Sequence, residues 1–114
     1  MIITDEMIKV LYETFKNVYK NNQRNFDNMT MREVRENVFE LLGEEIDKWN
    51  KNSLQMYIDD LIYAMRGERF TRFLNKFAYK YFEENLCKDF PIKCENVKNA
   101  FRLHFEYRES IQRG

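Results

Sequence analysis

Residues 66–82 read RGERFTRFLNKFAYKYF, and the way this stretch is divided decides how the helices of the chain are arranged. Gly67 is a natural stop for the helix before it, because glycine enters the left-handed region without steric cost. On this reading a helix resumes at once, over about 68–85, with Phe70, Phe73, Leu74, Phe77 and Tyr81 on one face. At about 100° per residue, Arg69, Arg72, Lys76 and Lys80 then form a basic stripe beside that face, with Tyr79 next to it.

Working outward, the same helical spacing appears on both sides. Thr4 is a plausible N-cap, with Asp5 and Glu6 in a first turn where the helix dipole favours acids. Ile8, Leu11, Tyr12, Phe15, Val18 and Tyr19 follow, which predicts a first helix to about Asn21. Thr30 and Glu33 make a capping box, with Met29 and Val34 at the hydrophobic-staple positions. The second helix carries Val34, Val38, Leu41, Leu42, Ile46 and Trp49, with Gly43 as a point of weakness or kinking. Asn52 or Ser53 caps a third helix striped by Leu54, Tyr57, Ile58, Leu61, Ile62 and Met65. A break is expected at 85–90, with Asp89 as cap and Pro91 in the first turn of a last helix over about 91–111. Its inward residues are Val97, Phe101, His104, Phe105 and Ile111.

The totals agree with this pattern. The chain has 114 residues, of which 44% are hydrophobic, 16% aromatic and 33% charged, the balance of a globular chain rather than a disordered one. Three Gly and one Pro supply too little turn chemistry for many strands. The expected fold is therefore all-α, a single compact domain of about five amphipathic helices packed as a bundle over residues 1–114. No apolar run approaches the ~20 residues of a membrane span, and the acidic start MIITDEMIKV does not suit a secretory signal. The expected compartment is cytoplasmic. Cys87 and Cys94 then read as two buried thiols, although a bridge between them is sterically allowed.

Charge is balanced in total and uneven along the chain. Nineteen basic side chains face nineteen acidic ones, which argues against a general polyanion binder. Residues 1–50 carry seven basic and ten acidic groups, whereas residues 51–82 carry six and three. On the second helix Glu33, Glu36, Glu40, Glu44 and Asp47 project in one narrow stripe. Like charges at i, i+4 destabilise an isolated helix, so this pattern serves something other than local stability. It suits the basic stripe of residues 69–80, a basic partner, or simply a solvated face.

Residues for catalysis are scarce. Asp59 and Asp60 are adjacent, so on a helix they point apart and cannot form a carboxylate dyad. No phosphate-cradling loop or nucleophile motif is present. Cys87, Cys94 and His104 are three ligands at most and lack zinc spacing, so no metal or cofactor is expected. Residues 56–77 place a glycine between two helices, as helix-turn-helix units do. They depart from that motif at Tyr63, where a small residue is usual, and at Lys76, where an apolar one is. His104 is the only histidine and lies mid-face on the last helix. The ten residues KNAFRLHFEY, 98–107, resemble the Arg-Asn…His motif of the helical HEPN ribonucleases, with Lys98 in place of the Arg. The resemblance implies a ribonuclease centred on His104; the replacement weakens it, because arginine's bidentate grip on phosphate is not reproduced by lysine.

The leading expectation is a small non-catalytic protein-binding modulator or inhibitor. Its contact residues would be Glu33, Glu36, Glu40, Glu44 and Asp47 on one helix and Arg69, Arg72, Lys76, Tyr79 and Lys80 on another. The richness in Asn, Lys, Ile, Tyr and Phe suggests AT-rich coding DNA and hence a low-GC bacterium or a phage or other mobile element. The alternative is a nucleic-acid-binding regulator, a homodimer that uses Arg66, Arg69, Arg72, Lys76 and Tyr79.

Overall fold

The structure, a computed structural model, describes the backbone of residues 2–113 and the side chains of residues 2–112. The chain is all-α, with α1 (Asp5–Asn21), α2 (Met31–Leu42), α3 (Lys51–Arg66), α4 (Lys76–Asp89) and α5 (Cys94–Arg113). Among the described residues there is no strand. Contacts divide the chain between Asp59 and Asp60, and the two units are taken in turn.

In the first unit the expected caps form. The Thr4 hydroxyl accepts the Met7 N–H at 3.2 Å. Thr30 accepts the Glu33 N–H at 3.1 Å, and the Glu33 carboxylate accepts the Thr30 N–H at 3.1 Å. That backbone bond and the hydroxyl contact hold the Glu33 carboxyl below its ordinary value. Ile8, Leu11, Tyr12 and Phe15 of α1 are fully buried. Phe26, in a 3-10 turn, packs edge-on against Phe15 and Tyr19 at 6.0 and 5.0 Å between ring centres. Val34, Val38 and Leu42 complete the buried side of α2.

α2 stops earlier than its apolar spacing predicts. Gly43 has φ +60°, which an L side chain rarely adopts, and a 3-10 turn over Gly43–Lys48 follows. Glu44 and Asp47 therefore leave the helix, and the acidic stripe is broken after Glu40. Leu41, expected inside, is 51% exposed. Trp49 is buried edge-on against Tyr57 at 5.5 Å. The cap of α3 is Asn50 rather than Asn52 or Ser53: its side-chain oxygen accepts the N–H groups of both, at 3.0 and 3.2 Å. Asp59 receives a bidentate guanidinium from Arg35 at 2.6 and 3.2 Å, whereas Asp60 is buried, so the two carboxylates do point apart.

The second unit corrects the expected fourth helix. Gly67 ends α3 with φ +71°, but residues 68–75 are not helical. The Asn75 side chain accepts the Ala78 N–H at 2.8 Å and so starts α4. Upstream, backbone groups that a helix would pair internally are taken by side chains from α4 and α5. The Phe70 carbonyl meets His104 at 2.7 Å, and the Leu74 N–H donates to the Tyr79 hydroxyl at 3.1 Å. Asn96 and Asn99 of α5 likewise donate to the carbonyls of Met65 and Gly67, each at 3.1 Å. Gly67 faces Asn96 so closely that an added Cβ would stand 3.1 Å from its side-chain oxygen.

With the helix starting at Lys76, its buried side is Ala78, Phe82 and Leu86, while Phe77 and Tyr81 are only half-buried. Phe70 and Leu74 are buried from the connecting segment, and Phe73, expected in the core, is 44% exposed. α4 also runs on through the break expected at 85–90, to Asp89, so Asp89 ends a helix rather than capping the next. A 3-10 turn over Pro91–Lys93 leads into α5, whose buried residues include Val97, Ala100, Phe101 and His104; Phe105 and Ile111 are exposed. Because α4 reaches past Cys87 and α5 begins at Cys94, the two sulfurs meet in a disulfide instead of remaining thiols.

Candidate functional site

The acidic residues singled out in the first unit do not act as one surface. Glu33 belongs to the capping box, and Glu36 pairs with Arg32 of its own helix at 3.0 Å. Glu40, Glu44 and Asp47 are exposed, and among the described residues no ion pair engages them. Glu40 and Leu41 line one side of a shallow groove with Val18, Asn21, Asn22 and Asn37. A depression of about 570 Å³ is lined by Lys20–Asn25 of one polar loop and gathers no complementary chemistry.

The basic residues of the second unit divide as well. Arg69 and Arg72 stand on the non-helical segment, and Arg69 lies over the Tyr107 ring at 5.1 Å. Lys76 and Lys80, one turn apart on α4, form a ridge with a groove on each side. The first groove, about 520 Å³, is lined by Lys76, Phe77, Lys80, Tyr81 and Glu84. Its floor is the Phe77–Tyr81 pair, stacked at 5.3 Å with ring planes 22° apart. The second, about 360 Å³, adds Tyr79, Glu83, Phe101, Phe105 and Arg108 to the same lysines. Thus Lys76, Tyr79 and Lys80 come together as expected, while Arg69 and Arg72 are not part of either lining. Neither Glu68–Arg72 nor Lys80–Glu83 is an ion pair, and no described carboxylate pairs with Lys76 or Lys80.

Beneath the second groove lies a buried polar relay. The Phe70 carbonyl can only accept, so the His104 Nδ1 carries hydrogen and donates to it at 2.7 Å. The His104 Nε2 is then free to accept from the Tyr79 hydroxyl at 2.7 Å, and that hydroxyl accepts from the Leu74 N–H. Burial disfavours the imidazolium and lowers the His104 pKa; the Phe70 carbonyl opposes this and the Arg108 cation adds to it. Burial likewise raises the Tyr79 pKa, against the opposing Leu74 amide and Arg108. Burial raises the Glu83 carboxyl too, with Lys98 opposing. His104 stacks on Phe70 at 4.1 Å and is fully buried, so both ring nitrogens serve the fold and neither faces a groove. Asn99, the other residue of the ribonuclease-like motif, is bound to Gly67 and Arg102.

The Arg108 guanidinium sits over three rings, Phe73 at 4.9 Å, Tyr79 at 5.3 Å and Phe105 at 5.8 Å. Each such contact contributes roughly 0.5–1 kcal/mol at an exposed site. Apolar spacing assigns Phe73, Phe77, Tyr81 and Phe105 to the core and gives Arg108 no role. For Phe77 and Tyr81 one signal points the other way: Asn75 as an N-cap, followed by the apolar series Ala78, Phe82, Leu86 at i, i+4, i+8, which turns the two rings outward. No family model, curated protein or solved structure matches this chain.

Proposed function

We propose that this chain is a non-catalytic protein-binding module that docks an acidic, amphipathic segment of a larger partner on the outer face of α4 and modulates that partner by occupying it. One observation carries the reading. Phe77 and Tyr81 form a stacked, half-exposed apolar floor, and the two cations at its rim, Lys76 and Lys80, have no ion-pair partner among the described residues. Apolar area of this kind, bordered by Lys76 and Lys80 with Glu84 one turn beyond them, suits the helix-in-groove mode, in which side chains one turn apart supply anchors and rim charges select the partner. Charge reversal, Lys76→Glu with Lys80→Glu, is expected to abolish retention of partners from the source cell, while Arg32→Glu leaves it intact. Equal retention by both variants would reject the face.

A second reading, a regulator that binds single-stranded nucleic acid, is favoured by the exposed Arg72, Lys76 and Lys80 beside aromatic rings. It is the weaker one, because stacking needs open ring faces. Phe77 and Tyr81 each turn one face to the other, and Arg108 lies over Phe73, Tyr79 and Phe105. Salt-sensitive retention of DNA or RNA in a gel shift, lost in the double charge reversal, would reverse that order.

A further inference from the structure

We infer that the acidic segment seated on α4 is supplied by a second copy of this chain, through Glu40, Leu41 and Glu44 at the end of α2. The inference rests on the docking face proposed above and names its occupant.

Two surfaces of the chain are complementary. The face on α4 is an apolar floor alongside the ridge of Lys76 and Lys80, with Glu84 at its far end, and among the described residues neither lysine is in an ion pair. The end of α2 is the reverse: Leu41 is 51% exposed, and Glu40 before it and Glu44 after the Gly43 turn are in no ion pair among the described residues. Leu41 lies in the last turn of α2, beside the buried Val34, Val38 and Leu42 and directly before the end of the helix at Gly43. Glu40 stands on the last turn of α2 and Glu44 on the 3-10 turn that follows, while the two lysines are one turn apart on α4. Seating Leu41 on Phe77 and Tyr81 would bring its acidic neighbours to the lysine ridge.

The whole sequence carries the same polarity. Residues 1–59 hold eight basic and eleven acidic side chains, and residues 60–114 hold eleven basic and eight acidic. Opposed charge on two surfaces steers copies head to tail and disfavours like faces meeting. Such a contact joins two different surfaces, so it closes into a dimer only where it is reciprocated and otherwise adds further copies.

Sedimentation velocity of the full chain at low salt is expected to show a concentration-dependent species heavier than the monomer, which dissociates as salt is raised. The variant with Glu40→Lys and Glu44→Lys, and the variant with Lys76→Glu and Lys80→Glu, should each associate at least about tenfold more weakly. Mixed in equal amounts, the two should regain association, because every contact between unlike variants again joins opposite charges. A loss caused by misfolding would not be restored by mixing. A chain that stays monomeric at low salt overturns the inference, as does association that both variants retain or that mixing fails to restore. A monomeric chain that still binds a synthetic acidic amphipathic peptide through Lys76 and Lys80 overturns self-association and leaves the docking face standing. A monomeric chain that binds no such peptide removes both.

Discussion

The two units bury aromatic rings in opposite ways. In residues 1–59, Phe15, Phe26 and Tyr19 form an apolar cluster. In residues 60–114, the rings are organised around a polar group: Phe70 stacks on His104, Tyr79 bonds it, and Phe73 and Phe105 lie at its edges with Arg108 above. The first arrangement holds by area removed from water alone. The second also needs directed hydrogen bonds, and it leaves rings at the surface that the first does not. A cluster whose stability depends on one buried imidazole and one hydroxyl is sensitive to pH and to single polar substitutions; an apolar cluster is sensitive to volume.

That contrast can be broken by mutation. Phe15→Ala should cost the most, about 3–5 kcal/mol, since a fully buried ring leaves a cavity. Phe105→Ala, at a ring that is 42% exposed, should cost under about 1 kcal/mol. Denaturant unfolding of the two variants checks the pair, and similar losses would mean that the exposed rings are as structural as the buried ones.

Tyr79→Phe keeps the ring and removes only the hydroxyl. It strands the Leu74 N–H and the His104 Nε2, and a loss of about 1–3 kcal/mol is expected. The same change should speed hydrogen exchange at the Leu74 amide. Unaltered exchange there would show that the hydroxyl does not hold the segment 68–75.

The pH response should be smaller and confined to the second cluster. Burial places the folded His104 pKa below its ordinary 6.5, so the unfolded chain binds the proton more readily. Its contribution is complete above the unfolded value and is lost as pH falls below about 6.5 toward and through the folded one. Thermal midpoints should therefore fall on mild acidification, and His104→Gln should flatten that slope while lowering stability throughout. A slope that survives the substitution would place the titration elsewhere.

The smallest effects are expected at the helix starts. Thr30→Ala and Asn75→Ala should each cost about 1 kcal/mol by circular dichroism, because each removes one side-chain acceptor from an N-terminal amide. A larger loss at Asn75 would show that the position of α4 also depends on its cap.

Thr30 and Asn75 do the same work, yet only one was legible in the sequence. Thr30 stands in a complete pattern, with Glu33 answering it and a polar loop ahead. Asn75 follows a run of phenylalanines whose spacing satisfies a helix that does not form. The all-α class, α1, the start of α2, most of α3 and the apolar face of α5 around Val97, Phe101 and His104 needed only local information: caps, spacing and the shortage of Gly and Pro. Lys76, Tyr79 and Lys80 could be grouped on the same basis, because three and four residues apart is one helix face.

The rest was decided in three dimensions. Residues 68–75 stay out of a helix because His104 and Tyr79, distant in sequence, take the Phe70 carbonyl and the Leu74 amide. That sets the phase of α4, turns Phe77 and Tyr81 outward and leaves Arg69 and Arg72 off the lysine ridge. Pairing of Cys87 with Cys94 likewise followed from where α4 ends and α5 begins. Periodicity reports which residues could share a face; which backbone groups are already taken by other elements is a tertiary fact, and here it placed the candidate site.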